Sequence, residues 1–139
     1  MDQSIVFFLA AILIVGALLF SLICMSKHGV KRLDVEKYRV KCLAIENQLK
    51  KDVSSSYHLT VLNADKLVDQ ALRERGTKGQ TMGERMKNSA PLFSDRNGIW
   101  TAHKLRNKIA HESDVYVTYE EARLALHSFR KALKDLGAI

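Results

Sequence analysis

The run from Ile5 to Met25 contains 21 residues and no charge. A helix of that length rises about 30 Å, the thickness of a bilayer's hydrocarbon core. Buried in a protein, it would need apolar segments to wrap it, and nothing else in the chain is apolar enough. A cleaved leader starts with bases, carries a shorter apolar run and ends on small residues. Here the start is Met1-Asp2-Gln3-Ser4, and Ser21-Leu22-Ile23 before Cys24 does not fit a lipoprotein signal. The sequence therefore predicts a retained single transmembrane anchor over 1–28.

The flanks predict its orientation. Asp2 lies on one side; Lys27, Lys31, Arg32, Lys37, Arg39 and Lys41 lie on the other. Loops rich in Lys and Arg stay on the cytoplasmic side, so the expected protein is a single-pass cell-membrane protein with its N-terminus outside and its C-terminal domain in the cytoplasm. The same bases are placed to meet anionic lipid. All 22 Lys and Arg follow the apolar run and 14 of the 15 acids do too, so this part carries +8. That balance favours polyanionic partners, RNA or anionic lipid headgroups, and composition alone leaves a solvated surface with no partner as the alternative.

After the anchor there is one Pro and no β-rich run, which predicts an all-α fold: a juxtamembrane helix, then a small helical bundle. Cys24 and Cys42 have no metal-ligand spacing, and a reducing compartment fits them. No cofactor is implied. Over 29–53, Val35, Tyr38, Cys42, Ile45 and Leu49 step by three and four. That spacing suits either a parallel stalk pairing two copies or a helix packing on its own domain. The bundle is expected over 54–139.

In the bundle, Tyr57–Arg75 carries Val61, Ala64, Val68, Ala71 and Leu72 on one face with Leu67 beside them, and Gly76 is its expected C′ residue. Ser54-Ser55-Ser56 before it is either a break or part of the helix. The glycine-rich segment 76–83 lacks the spacing of a phosphate loop and reads as a connector. Thr81 with Glu84, and Thr118 with Glu121, predict capping boxes for helices over Met82–Ala90 and from Tyr119 to about Leu136. On the last helix, Ala122, Leu126, Phe129, Leu133 and Leu136 face inward. Arg123, Arg130, Lys131 and Lys134 form a basic stripe, expected to be a solvated face before a phosphate track.

Between those two helices lies Ile99–Glu112. Ser94 or Asp95 is placed to cap it, and Asn97-Gly98 predicts that regular helix begins near Ile99. Ile99, Ala102, Leu105 and Ile109 form an apolar stripe, bordered by His103, Arg106, Asn107 and His111. Arginine is rarely placed beside a core without a partner, so this border is the candidate site. Asp65 and Asp69 are the candidate partners for Arg106, and the dipole or last carbonyls of the helix for His111.

Arg106-Asn107-Lys108-Ile109-Ala110-His111, with Leu105 before and Glu112 after, resembles the R-x4-H motif of HEPN domains. The helix before the motif and the amphipathic helix after it look like that family as well. The resemblance covers roughly 54–139. It implies a homodimer in which two motifs face one cleft and cleave RNA without metal, leaving a 2′,3′-cyclic phosphate. Carried onto this chain, Arg106 meets the charge on phosphorus, His111 is the general acid or base, and Asn107 positions. One histidine per chain does not readily supply both acid and base, which is a physical reason to expect two copies.

Outside the motif, His103, Lys104 and Lys108 are possible RNA contacts, with a surface hydrogen bond the blander expectation for His103. His28, His58 and His127 belong to no constellation. No metal site is expected, since His103 and His111 are eight residues apart and lack a completing acid set. Two other readings remain: a silent HEPN-like module holding RNA, a nucleotide or a protein at the membrane, and a small membrane scaffold. The ribonuclease reading suits a stress, toxin or defence role with an antitoxin or other regulator.

Overall fold

The computed structural model describes residues 2–26 and 30–139 and is all-helical among them. It forms two compact units, Met1–Val30 and Lys31–Ile139. Lys27 and the boundary expected at 28/29 lie outside the described residues.

The first unit is one helix, α1 (Gln3–Ser26). Its segment Gln3–Cys24 is long and apolar enough to cross a membrane, and none of it is buried against protein.

The second unit contains α2 (Val35–Gln48), α3 (Ser54–Glu74), α4 (Met82–Asn88), a single 3₁₀ turn (Ala90–Leu92), α5 (Arg96–His111) and α6 (Tyr119–Asp135). The central helix is α3, which packs against α2, α4, α5 and α6. Its face of Val61, Ala64, Leu67, Val68, Ala71 and Leu72 is buried, as is the inward face of α6 from Ala122 to Leu133, continued by Leu136. Both faces are the ones the sequence predicts, because each repeats at the helical period.

Of the two roles open to α2, the structure shows packing on its own domain. Tyr38 and Cys42 are buried, Ile45 and Leu49 rest on the same core, and Lys37 Nζ donates to Glu74 Oε1 at 2.8 Å. That bond, with others from its neighbours, holds the Glu74 carboxyl down to about 2. The juxtamembrane helix within 29–53 thus supplies core residues to the unit containing 54–139. Three- and four-residue steps serve an intrachain partner as well as a second copy.

The helix ends follow local chemistry, with three corrections. Gly76 (φ 88°) and Gly137 (φ 74°) take the left-handed C′ position after α3 and α6, each followed by a 6→1 bond, Thr77 N to Leu72 O and Ala138 N to Leu133 O. The capping box at Thr118 and Glu121 forms as expected. At α4, Thr81 accepts from Glu84 N, but the Glu84 carboxylate accepts from Gln80 N, one residue beyond the cap, so the box does not close. Helix α4 ends at Asn88, two residues early, and Pro91 sits within the 3₁₀ turn. The run Ser54–Ser56 lies inside α3, where Ser56 Oγ donates to Val53 O and accepts from Lys50 N.

The third correction concerns Asn97-Gly98. Helix α5 starts at Arg96, three residues before the expected Ile99, and Asp95 is its cap, accepting from Gly98 N at 2.9 Å. Glycine is required there by space. A Cβ on Gly98 would stand 2.2 Å from Asp95 Oδ2 and 2.9 Å from Ser128 Oγ of α6. Gly→Ala inside a helix ordinarily gains up to about 1 kcal/mol. Gly98→Ala is expected to reverse that sign and cost about 0.5–2 kcal/mol through loss of the Asp95 cap, with Ser128 Oγ turned aside. Chemical denaturation of the full chain in detergent measures it.

Candidate functional site

The site grows from an acid placed at a core register. Asp65 follows Ala64 on the buried face of α3 and is 3% exposed. A carboxylate so buried needs partners, because losing water without replacement costs several kcal/mol. Helix α5 supplies both from one turn. His103 Nδ1 lies 2.7 Å from Asp65 Oδ1, and Arg106 Nε lies 3.2 Å from Asp65 Oδ2. The second contact is an ion pair rather than an aligned hydrogen bond, since Arg106 Nε is occluded and finds no acceptor along its N–H direction.

His103 is therefore a buried anchor of α5, where a surface hydrogen bond was expected. Facing a carboxylate acceptor, Nδ1 carries the proton. The opposite nitrogen, Nε2, has no protein partner among the described residues and stays open to solvent: Tyr38 Oη and Arg106 Nε are the side-chain polar atoms buried without one.

Arg106 keeps about a third of its side chain in solvent. Its Nη1 donates to Asn107 Oδ1 at 3.1 Å. Of the two acids offered to Arg106 by the sequence, Asp69 is taken by others. Asp69 Oδ1 accepts from Arg85 Nε at 2.8 Å, and Asp69 Oδ2 lies 2.9 Å from Arg73 Nη2. Arg85 is buried, and its Nη1 donates to Gly79 O at 2.7 Å. A Cβ on Gly79 would stand 2.8 Å from Arg85 N, and its φ is 146°. The glycine-rich connector is thus pinned to α3 through one arginine.

These two clamps from α3, Asp65 holding α5 and Asp69 holding α4, frame a cleft of about 900 Å³ between α3, α4 and α5. Six Lys and Arg line it, namely Lys66, Arg73, Arg85, Lys87, Lys104 and Arg106, against Asp65, Asp69 and Glu84. Trp100, His103, Asn107 and His111 border the same space. The structure so brings Arg106, Asn107, His111, His103 and Lys104 to one cleft. Lys108, named beside them from sequence, is exposed and does not line it.

His111 is the last residue of α5, is exposed, and enters no hydrogen bond or ion pair among the described residues. The two motif side chains thus differ: Arg106 is tied to its own chain and His111 is free. On α6, two bases of the expected stripe are internally paired, Arg123 with Glu120 and Arg130 with Glu46. Among the described residues no cluster of three or more His, Cys, Asp or Glu is placed to hold a metal.

Sequence reasoning missed His103 as an anchor and Arg85 altogether. A signal existed for the first: an acid interrupting the apolar face of α3, and an imidazole three residues before an arginine on α5.

Comparison with known protein families, with curated proteins and with solved structures finds no match.

If Asp65 sets the ring of His103, ¹⁵N NMR of the full chain in micelles is expected to show His103 protonated at Nδ1. Asp65→Asn is expected to release that preference and destabilise the fold by about 3 kcal/mol, the scale for breaking one side of a buried pair.

Proposed function

We propose that this chain is a membrane-tethered, metal-independent endoribonuclease of HEPN type that acts as a homodimer. The observation that carries the reading is the placement of Arg106 and His111 in one basic cleft, with Arg106 braced by a buried carboxylate. A braced guanidinium loses little freedom on meeting a phosphate, and its planar fork suits the phosphoryl oxygens.

In this reading the 2′-hydroxyl of RNA gives its proton to one His111 as its oxygen bonds to phosphorus. The bond from phosphorus to the 5′-oxygen breaks, and that oxygen takes a proton from His111 of the second copy. The products are a 2′,3′-cyclic phosphate and a 5′-hydroxyl. Arg106 opposes the charge gathering on the phosphoryl oxygens, and Asn107 orients Arg106. An exposed His111 with no partner among the described residues supports a role completed by a second copy.

The tether belongs to the same proposal. Helix α1 anchors the chain in the cell membrane, and Lys31 and Arg32 after it favour a cytoplasmic bundle near anionic lipid. Confinement to that layer raises the local concentration of partners and favours the dimer. A stress, toxin or defence role, with a regulator holding the enzyme silent, suits such an arrangement.

One observation favours a second reading, a non-catalytic HEPN-like binding module. Asp65 partly neutralises Arg106, as it would if Arg106 served to lock α5 onto α3.

The test is cleavage of RNA by the full chain in detergent with a chelator present. The ribonuclease reading expects cyclic phosphate ends, and a loss of about 10²–10⁴ in rate for His111→Ala and about 10²–10³ for Arg106→Ala. Folded dimer that leaves RNA intact, or equal activity in His111→Ala, selects the binding module.

A further inference from the structure

The chain's one tryptophan, Trp100, opens the same face of α5 that ends in the motif. Positions 100, 104, 107 and 111 recur every three or four residues and share one side of the helix. All four border the cleft. Trp100 is half-buried, and its ring stands at 76° to that of His103 with centroids 6.0 Å apart. The far edge of the indole lies over Gly83 of α4, where a Cβ would come within 3.9 Å of Cη2. The indole N–H has no protein partner among the described residues, yet it is not an occluded orphan, so that side of the ring faces open space.

The order along the cleft is therefore an aromatic plane, then Lys104, then Asn107 with Arg106 reaching in from the adjacent side of α5, then His111. At 1.5 Å per residue, Arg106 lies about 9 Å beyond Trp100 along the axis and His111 about 16 Å beyond it. A nucleotide strand offers matching chemistry in matching order, a flat base followed by phosphates. Aromatic side chains stack on bases whatever their identity, while cations beside them track the backbone. A paired base offers no free face, because its neighbours in the duplex cover both.

We propose that Trp100 is the platform on which one unpaired base of a single RNA strand stacks, with the strand's phosphates running along α5 toward Arg106 and His111. This rests on the ribonuclease reading and gives that site its substrate class: single-stranded RNA, read by the presence of a base more than by its identity. The shared chemistry, a base joined to phosphate, also belongs to a free nucleotide, and the test separates the two.

The full wild-type chain in detergent is titrated with a short 2′-O-methylated single strand, which lacks the nucleophile and survives intact. Trp100 fluorescence reports stacking directly, since no other tryptophan contributes. The strand is expected to quench it. The same backbone without bases is expected to bind about tenfold or more weakly, without quenching, the loss that one stacked base implies. A duplex and a nucleoside monophosphate are expected to bind more weakly than the strand.

Binding of the strand with unchanged fluorescence overturns the proposal, as does failure of the strand to bind. Equal affinity for the abasic backbone, the duplex or the monophosphate overturns it too. Quenching by the strand in a protein that never cleaves unmodified RNA removes the ribonuclease reading and leaves the platform standing. Cleavage without quenching does the reverse.

Discussion

A single buried carboxylate, Asp65, decides how α5 sits on α3. Its two oxygens take His103 and Arg106, residues one turn apart, so the helix is fixed in rotation as well as in position. Apolar packing alone would not do this. Ile99 and Ala102 are buried, but small and branched aliphatic surfaces tolerate slippage that a carboxylate held at both oxygens does not. With α5 fixed, Trp100, Asn107 and His111 acquire fixed directions without needing partners of their own.

The opposite wall is built by the same physics one turn further along α3. Asp69 holds Arg85, and Arg85 holds the carbonyl of Gly79, which draws the connector and the short α4 against the bundle. A seven-residue helix would not be stable alone. Two acids on one helix thus set both walls of a cleft that is otherwise basic. Because Asp65 and Asp69 are occupied by these clamps, the cations left facing the cleft, Lys66, Lys87 and Lys104 among them, give it the charge suited to a polyanion.

Local features were legible in the sequence because local chemistry determines them. The apolar run forms α1, the periodic faces form the core of α3 and α6, and Thr118, Asp95 and Gly76 mark helix ends. What escaped depends on neighbours distant in sequence. Asn97-Gly98 reads as a break, yet a Cβ on Gly98 would meet the capping carboxylate of Asp95 first and Ser128 Oγ of α6 next, and the second contact has no trace in the residues around position 98. The steps of α2 left open whether Tyr38 faced a second copy or its own domain. Spacing alone assigns Arg106 to either Asp65 or Asp69, and His103 looks like a surface residue in sequence because its acceptor lies 38 positions away.

The measurement that bears most directly on this account is a double-mutant cycle between Asp65 and His103, using Asp65→Asn, His103→Gln and the pair, by chemical denaturation of the full chain in detergent. A coupling energy of about 1–3 kcal/mol is expected, as for residues joined in one buried network. Additivity to within about 0.5 kcal/mol would contradict the account, because Asp65 would then not be what holds α5 in place.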